Sequence, residues 1–167
     1  DYDKRKIKET QLNILDLCLF ADVTSRKSVE NAYRKICETF GGIDVLVSNA
    51  GSVSSGPIGS VSDKNLKKSF EDNFFSHQIC ASEAVKIMLS QKSRGCLLFN
   101  ISKQSVNPGL NFGSYGLPKT ALLGLCKQYA LDYGKFGIRS NGVNADRIKS
   151  GILNSSMIKT RAKARNV

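Results

Sequence analysis

Tyr115 and Lys119 stand four residues apart, types and spacing suited to proton transfer. On a helix such a pair projects from one face. A tyrosine ionises near about 10 and is a poor base at neutral pH, but a neighbouring ammonium favours the phenolate. A helix N-terminus adds positive potential in the same sense. Together the two could serve as general acid/base for a hydroxyl or a carbonyl. Pro118 sits between them; in a first helical turn its missing N–H costs nothing. Alone, Y-x-x-x-K is also the pattern of an exposed helix face.

Context raises its weight. Ser102 precedes Tyr115 by thirteen residues, at the end of an apolar run, and could hydrogen-bond the oxygen that Tyr115 protonates. Asn49-Ala50-Gly51 ends another apolar run, where Gly51 lets backbone approach a ligand closely. Asn73 could order a water in a relay to Lys119. His77, the only histidine, follows Asn73 by four residues and reads as a satisfied helix residue.

These residues need a scaffold that brings them to one edge. Short apolar runs alternate with helical stretches, the pattern of α/β units around a parallel sheet. Leu15 to Phe20 reads as a strand. Residues 28–40 read as an amphipathic helix through Val29, Ala32, Tyr33, Ile36 and Phe40, stopped by Gly41-Gly42. Ile43 to Val47 is a buried strand. A Ser/Gly/Pro-rich loop spans 52–62. Leu66, Phe70, Phe74, His77, Ala81, Ala84, Val85 and Met88 mark one side of a helical pattern over 63–91, as one helix or two joined by a kink. Cys96 to Ile101 is a strand, Tyr115 to Tyr133 a helix, and Ile138 to Val143 a strand. Ligands of open α/β sheets bind outside the carboxyl ends of strands, where Asn49 to Gly51 and Ser102 fall.

The string GGIDVLVSNAG, then Asn73 in EDNFFSHQIC, then FNIS with Tyr115-Gly-Leu-Pro-Lys119, then GIRSNGVN, resembles the short-chain dehydrogenase/reductase family in order and spacing. The resemblance implies a Rossmann-like, doubly wound parallel sheet, here without the N-terminal strand-helix-strand and the C-terminal end. Residues 1–167 would form a single partial domain lacking the glycine-rich T-G-x-x-x-G-x-G turn. The turn's helix N-terminus normally holds the cofactor pyrophosphate. By resemblance Tyr115 is the acid/base, and Lys119 aids it and binds the nicotinamide ribose. Ser102 polarises the substrate carbonyl, and Asn73 holds the relay water. Asp22 and Val23 fall at the adenine; Asn49, Ala50 and Gly51 line the cofactor; Ile148 and Ser150 lie near the carboxamide. The implied cofactor is NAD, with NADP not excluded; Asp1, read as an acidic residue ending a strand, would favour NAD.

Three departures from the family pattern stand out. Ser48 replaces the commoner first Asn of N-N-A-G, Lys103 follows Ser102 where many members have a second serine, and Ala145-Asp146-Arg147 replaces Pro-Gly. FNISKQSVNPGLNFGSYGLPK, VNADRIKSGI and SSMIKTRAKARNV resemble the dehydrogenase part of bifunctional rhamnulose-phosphate aldolase/short-chain dehydrogenase proteins. That implies lactaldehyde, or a similar small hydroxyaldehyde or sugar alcohol, as substrate, and a fused aldolase domain upstream. The resemblance also implies a homodimer or homotetramer, which the apolar stretch Ala121 to Cys126 fits.

Bulk properties narrow the alternatives. The chain has 167 residues, 41% hydrophobic and 23% charged, ordinary for a globular protein large enough to bury a core. No apolar run reaches the roughly 18–20 residues of a membrane span, and the charged N-terminus lacks the apolar region of a secretory signal. A cytoplasmic protein is expected. Five widely spaced cysteines without C-x-x-C and a single histidine offer a metal little; reduced, buried thiols are expected. The net charge of +11 is concentrated partly at the two ends, without interleaved aromatics or a nucleic-acid motif, so a solvated basic surface is read. Arg147 and Lys149 could meet a phosphate or acid group, or lie on the surface. Against the oxidoreductase stand two alternatives: an inactive, truncated remnant acting as an interaction domain, and a basic nucleic-acid-binding module.

Overall fold

A computed structural model describes residues 17–146. Helix α1 (Arg26–Phe40) begins where the Ser25 hydroxyl accepts the N–H of Ser28 and ends at Gly41. At φ +85° Gly41 takes the left-handed conformation that favours glycine, and its N–H closes on the Cys37 carbonyl at 2.8 Å. Val29 and Ala32 are buried as the spacing requires, but Phe40 is 56% exposed. Strand β1 (Val45–Ser48) follows, with Ile43 buried just ahead of it.

Residues 63–91 are continuously helical, in three parts: α2 (Asp63–Phe70), a π-helical turn (Glu71–Phe75) and α3 (Ser76–Gln91). Of the two expectations, one helix or two joined by a kink, the structure shows an unbroken helical run with a π turn inside it, a wider coil that inserts a residue without breaking the helix. Strand β2 (Gly95–Asn100), helix α4 (Gly113–Tyr133) and strand β3 (Ile138–Val143) complete the described fold. The three strands are parallel in the order β1-β2-β3, with Val45 opposite Cys96 and Gly95 opposite Ile138.

This is a Rossmann-like parallel α/β sheet, and among the described residues its helices cover one face. Leu97, Phe99 and Ile101 point to that face and meet Ala81, Ala84 and Met88 from α3 and Leu122 and Cys126 from α4. Leu122 and Cys126 therefore serve the chain's own core, while Ala121, Leu123 and Leu125 remain half-buried.

Two expectations need correction. Residues 17–20 of the strand expected at 15–20 do not join the sheet, and Leu15 and Asp16 lie outside the described residues. A strand exists only with a neighbour to complete its ladder, and the described sheet supplies none there. Helix α4 starts at Gly113 rather than Tyr115, so Pro118 lies beyond the first turn. Its ring costs the helix a bond to the Ser114 carbonyl.

Candidate active site

Because the strands are parallel, their carboxyl ends share one edge. The chain leaves β1 into Asn49–Gly51, β2 into Ile101–Ser102, and β3 into Asn144–Asp146. Asn100 Nδ2 donates to Asn49 Oδ1 at 2.6 Å across the first two exits.

Lys119 is the centre of the site. It is 3% exposed; its Nζ donates to the Asn100 carbonyl at 2.9 Å and stands 3.4 Å from His77 Nε2. The same Nζ lies 5.8 Å from the centroid of the half-buried Tyr115 ring. Burial pulls the Lys119 pKa down to about 8. A Cβ built on Gly51 would stand 2.7 Å from Asn73 Oδ1 and 3.8 Å from Lys119 Nζ. Only a residue without a side chain lets backbone pass so close to Asn73, while the distance to Lys119 is ordinary contact.

Asn73 is fully buried in the middle of the π turn. Its Nδ2 donates to the Ser69 carbonyl at 3.0 Å, and its Oδ1 accepts the Ser52 N–H at 3.2 Å. It thereby ties the loop after β1 to the helix. Ser102, 7% exposed, opens a 3₁₀ turn (Lys103–Ser105), and its Oγ accepts the Gln104 N–H at 3.2 Å. That turn docks on α4, where Thr120 Oγ1 donates to the Ser105 carbonyl at 3.3 Å. The segments carrying Ser102 and Tyr115 are thus packed together.

Asp22 and Val23 line a cavity of about 440 Å³ with Gly51, Ser52, Lys68 and Asp72. Asp22 Oδ1 accepts from Thr24 Oγ1 at 2.7 Å and Thr24 N at 2.9 Å, which hold the carboxyl below its usual range. Ile148 and Ser150, with Arg147 and Lys149, lie outside the described residues, as does Asp1.

Two contacts escaped the sequence reading. His77 is 1% exposed and hydrogen-bonded, as a satisfied helix residue should be, yet it lies inside the site: its Nδ1 is 2.7 Å from Ser48 Oγ. Burial, then the Lys119 charge, lowers its pKa to about 3. Lys103 Nζ pairs with Asp146 Oδ2 at 2.9 Å, and Lys103 N donates to the Ala145 carbonyl at 2.9 Å. Among the described residues, the departures Ser48, Lys103, Ala145 and Asp146 each have a partner. Departures at two distant positions were the available signal; only folding could couple them.

The five cysteines are free, Cys80 and Cys126 buried and the others half-buried. Among the described residues no helix is long and apolar enough to cross a membrane.

A parallel α/β sheet with Ser, Tyr, Lys and Asn gathered at its carboxyl edge defines a class, the Rossmann-like proteins with a ligand crevice outside the strand ends. Residues 4–162 match the model of the short chain dehydrogenase family, and the chain belongs to that family. Among solved structures, ElxO, 25% identical with a TM-score of 0.76 and covering 89% of this chain and 58% of that one, is described with NADP bound. An uncharacterized oxidoreductase, YuxG, of Bacillus subtilis (strain 168) is 34% identical over 145 residues, 86% of this chain and 21% of that protein. Short-chain dehydrogenase reductase 3a of Arabidopsis thaliana is 38% identical over 125 residues, 73% of this chain and 48% of that protein. Among solved structures, the sorbitol-6-phosphate 2-dehydrogenase SrlD of Erwinia amylovora superposes with a TM-score of 0.80 at 26% identity, covering 90% of this chain and 59% of that one. The chain thus spans about half the length of the Arabidopsis relative and a fifth of the Bacillus one.

Proposed function

We propose that the chain is the catalytic segment of an NAD(P)-dependent oxidoreductase acting on a small alcohol/aldehyde or sugar-derived substrate, with Tyr115 as acid/base. The observation that carries this is the buried Lys119 ammonium beside the Tyr115 ring, against the bare backbone of Gly51. The cofactor fits the residues present. Gly51 leaves a cradle that a Cβ would fill, and the cavity lined by Asp22, Val23, Gly51 and Ser52 continues from it. Asn49, Ala50, Gly51 and Lys119 would line it, with Ile148 and Ser150 toward the carboxamide and NAD preferred over NADP. When bound, the nicotinamide supplies or accepts the hydride.

The protein's own part is to orient and to move a proton. Ser102 donates to the substrate oxygen, and Tyr115 gives that oxygen a proton or takes one from it. Lys119 stabilises the phenolate by charge. Asn73 holds the loop against which the relay water lies. Loss of a general acid/base typically costs 10²–10⁴-fold.

Lactaldehyde and related hydroxyaldehydes or polyols are the proposed substrates; similarity to an enzyme named for sorbitol 6-phosphate supports the polyol class. A fused aldolase upstream is in keeping with the length of the Bacillus relative, of which the match is 21%. The outer faces of α3 and α4, with Leu123 and Leu125 half-buried, are the proposed surface of a homodimer or homotetramer.

The test is reduction of NAD and of NADP by the full-length protein across a panel of small hydroxyaldehydes and polyols. Tyr115→Phe should lower turnover roughly 10²–10⁴-fold with cofactor affinity nearly intact, and Lys119→Ala should damage both. Near-normal turnover in Tyr115→Phe would remove the acid/base assignment.

A further inference from the structure

We infer that His77 is a positioning residue for Lys119: a neutral imidazole, fixed by Ser48, that accepts from the ammonium on the side away from the cleft. This rests on the proposed role of Lys119. A buried ammonium is stable only where acceptors meet its N–H groups. Asn100 offers a carbonyl from the end of β2 and His77 offers Nε2 from α3, at 2.9 and 3.4 Å. Two acceptors from two separate elements hold Nζ in one place, beside Gly51 and the Tyr115 ring.

The inferred contact implies a tautomer for the ring, which also meets the Ala50 backbone. If Lys119 Nζ donates to Nε2, the ring proton is on Nδ1, where Ser48 Oγ at 2.7 Å accepts it. Phe99 closes the ring's surroundings edge-on, centroids 6.2 Å apart. The titratable groups meeting Lys119 are His77 from α3 and Tyr115 from its own helix; β2 supplies only a carbonyl. An uncharged acceptor suits the site for a physical reason. A carboxylate in its place would hold the ammonium equally well but cancel the charge that the phenol needs. The imidazole holds it and leaves the charge in force. Burial keeps the ring neutral across the working range, its pKa lowered to about 3.

The test uses the full-length protein with lysine labelled by ¹³C at Cε, the Lys119 resonance being assigned by its loss in Lys119→Arg. Its titration midpoint, expected near 8, reads the contact without any turnover. His77→Leu should lower the midpoint by roughly one pH unit, the scale of a lost hydrogen bond to a charged group. It should also lower kcat by roughly tenfold or more, as a misplaced catalytic group does. His77→Gln, whose amide oxygen can reach the place of Nε2, should return both toward the parent values. His77→Asn, whose amide reaches only the place of Nδ1, should behave as Leu does. An unchanged midpoint in His77→Leu, or equal shifts in Leu and Gln, overturns the inference. If His77→Leu does not fold, the Gln–Asn difference decides it. Turnover of the parent and of Tyr115→Phe is measured alongside: normal turnover in Tyr115→Phe, with the His77 shifts intact, removes the acid/base role of Tyr115, no turnover in the parent removes the oxidoreductase reading, and either leaves the contact standing.

Discussion

The two faces of the sheet are built from similar residues and have opposite fates. On one, Leu97 and Phe99 are fully buried and Ile101 is 2% exposed, under α3 and α4. On the other, Val45, Val47 and Val143 are 60%, 62% and 52% exposed, although they stand in register with Cys96, Leu98 and Asn100 of the central strand. In β2 the consequence is a strict alternation of buried and half-buried residues. Parallel sheets normally bury both faces, and their strands are accordingly apolar throughout. The difference teaches that these strands carry a sequence written for two covers, of which the described residues supply one. The site belongs to the covered side: Lys119, His77, Asn73 and Ser48 are all buried there, which is why their geometry is determined.

The largest expected effect tests that face directly. Phe99→Ala removes a fully buried ring packed near His77 and Tyr129. It should lower the free energy of urea unfolding by about 3–5 kcal/mol. A loss below about 1 kcal/mol would mean that the helical layer collapses onto the gap and is not the close-packed core described.

A second effect comes from the buried titratable groups of the covered face. The folded pKa of His77 is about 3 against an ordinary 6.5. Between those values the unfolded chain binds a proton that the folded chain refuses, so stability falls as pH falls from 6.5. Asp22 and Glu83, whose folded pKa values are lowered from 3.8 and 4.5, lose their contributions only at more acid pH. The window from 4.5 to 6.5 therefore isolates His77, with a loss of roughly 2 kcal/mol across it. At the alkaline end the folded Lys119 deprotonates near 8 against an ordinary 10.5, so stability should rise as pH passes 8. Above about 10 the phenols of the half-buried Tyr33 and the buried Tyr129, both raised by desolvation, reverse that rise. Urea midpoints from pH 4.5 to 10 would show both limbs, and His77→Gln should flatten the acid one. An acid limb that persists in His77→Gln would assign it to other groups.

How much of this could be read from the residue string follows from the range over which each feature is determined. The helices and the three described strands follow from periodicity and caps, local properties within one element; Ser25 and Gly41 mark the ends of α1 as their types suggest. The start of α4 is not legible in the sequence, because its N-terminal turn opens on Gly113 and Ser114, residues without helical preference, held by the Ser54–Ser114 contact at 2.9 Å. Tyr115, Lys119, Ser102 and Asn73 were legible through family spacing. His77–Ser48 and Lys103–Asp146 were not, since residues 29 and 43 positions apart meet only after the strands align.

The smallest expected effect belongs to the open face and is the sharpest test of the comparison. Val47 stands mid-strand in β1, opposite Leu98, with 62% of its surface in solvent. Threonine has the same branched shape and similar preference for strands, so Val47→Thr trades only a methyl for a hydroxyl. On an exposed surface that hydroxyl keeps its water, and the change should lie within about 0.5 kcal/mol of zero by urea unfolding of the 167-residue chain. In a covered position the hydroxyl would be desolvated without a partner, at a cost of about 1–3 kcal/mol. A loss of that size would mean that something in the protein shields the Val45–Val47 face, and the two faces would then differ only in which segment covers them.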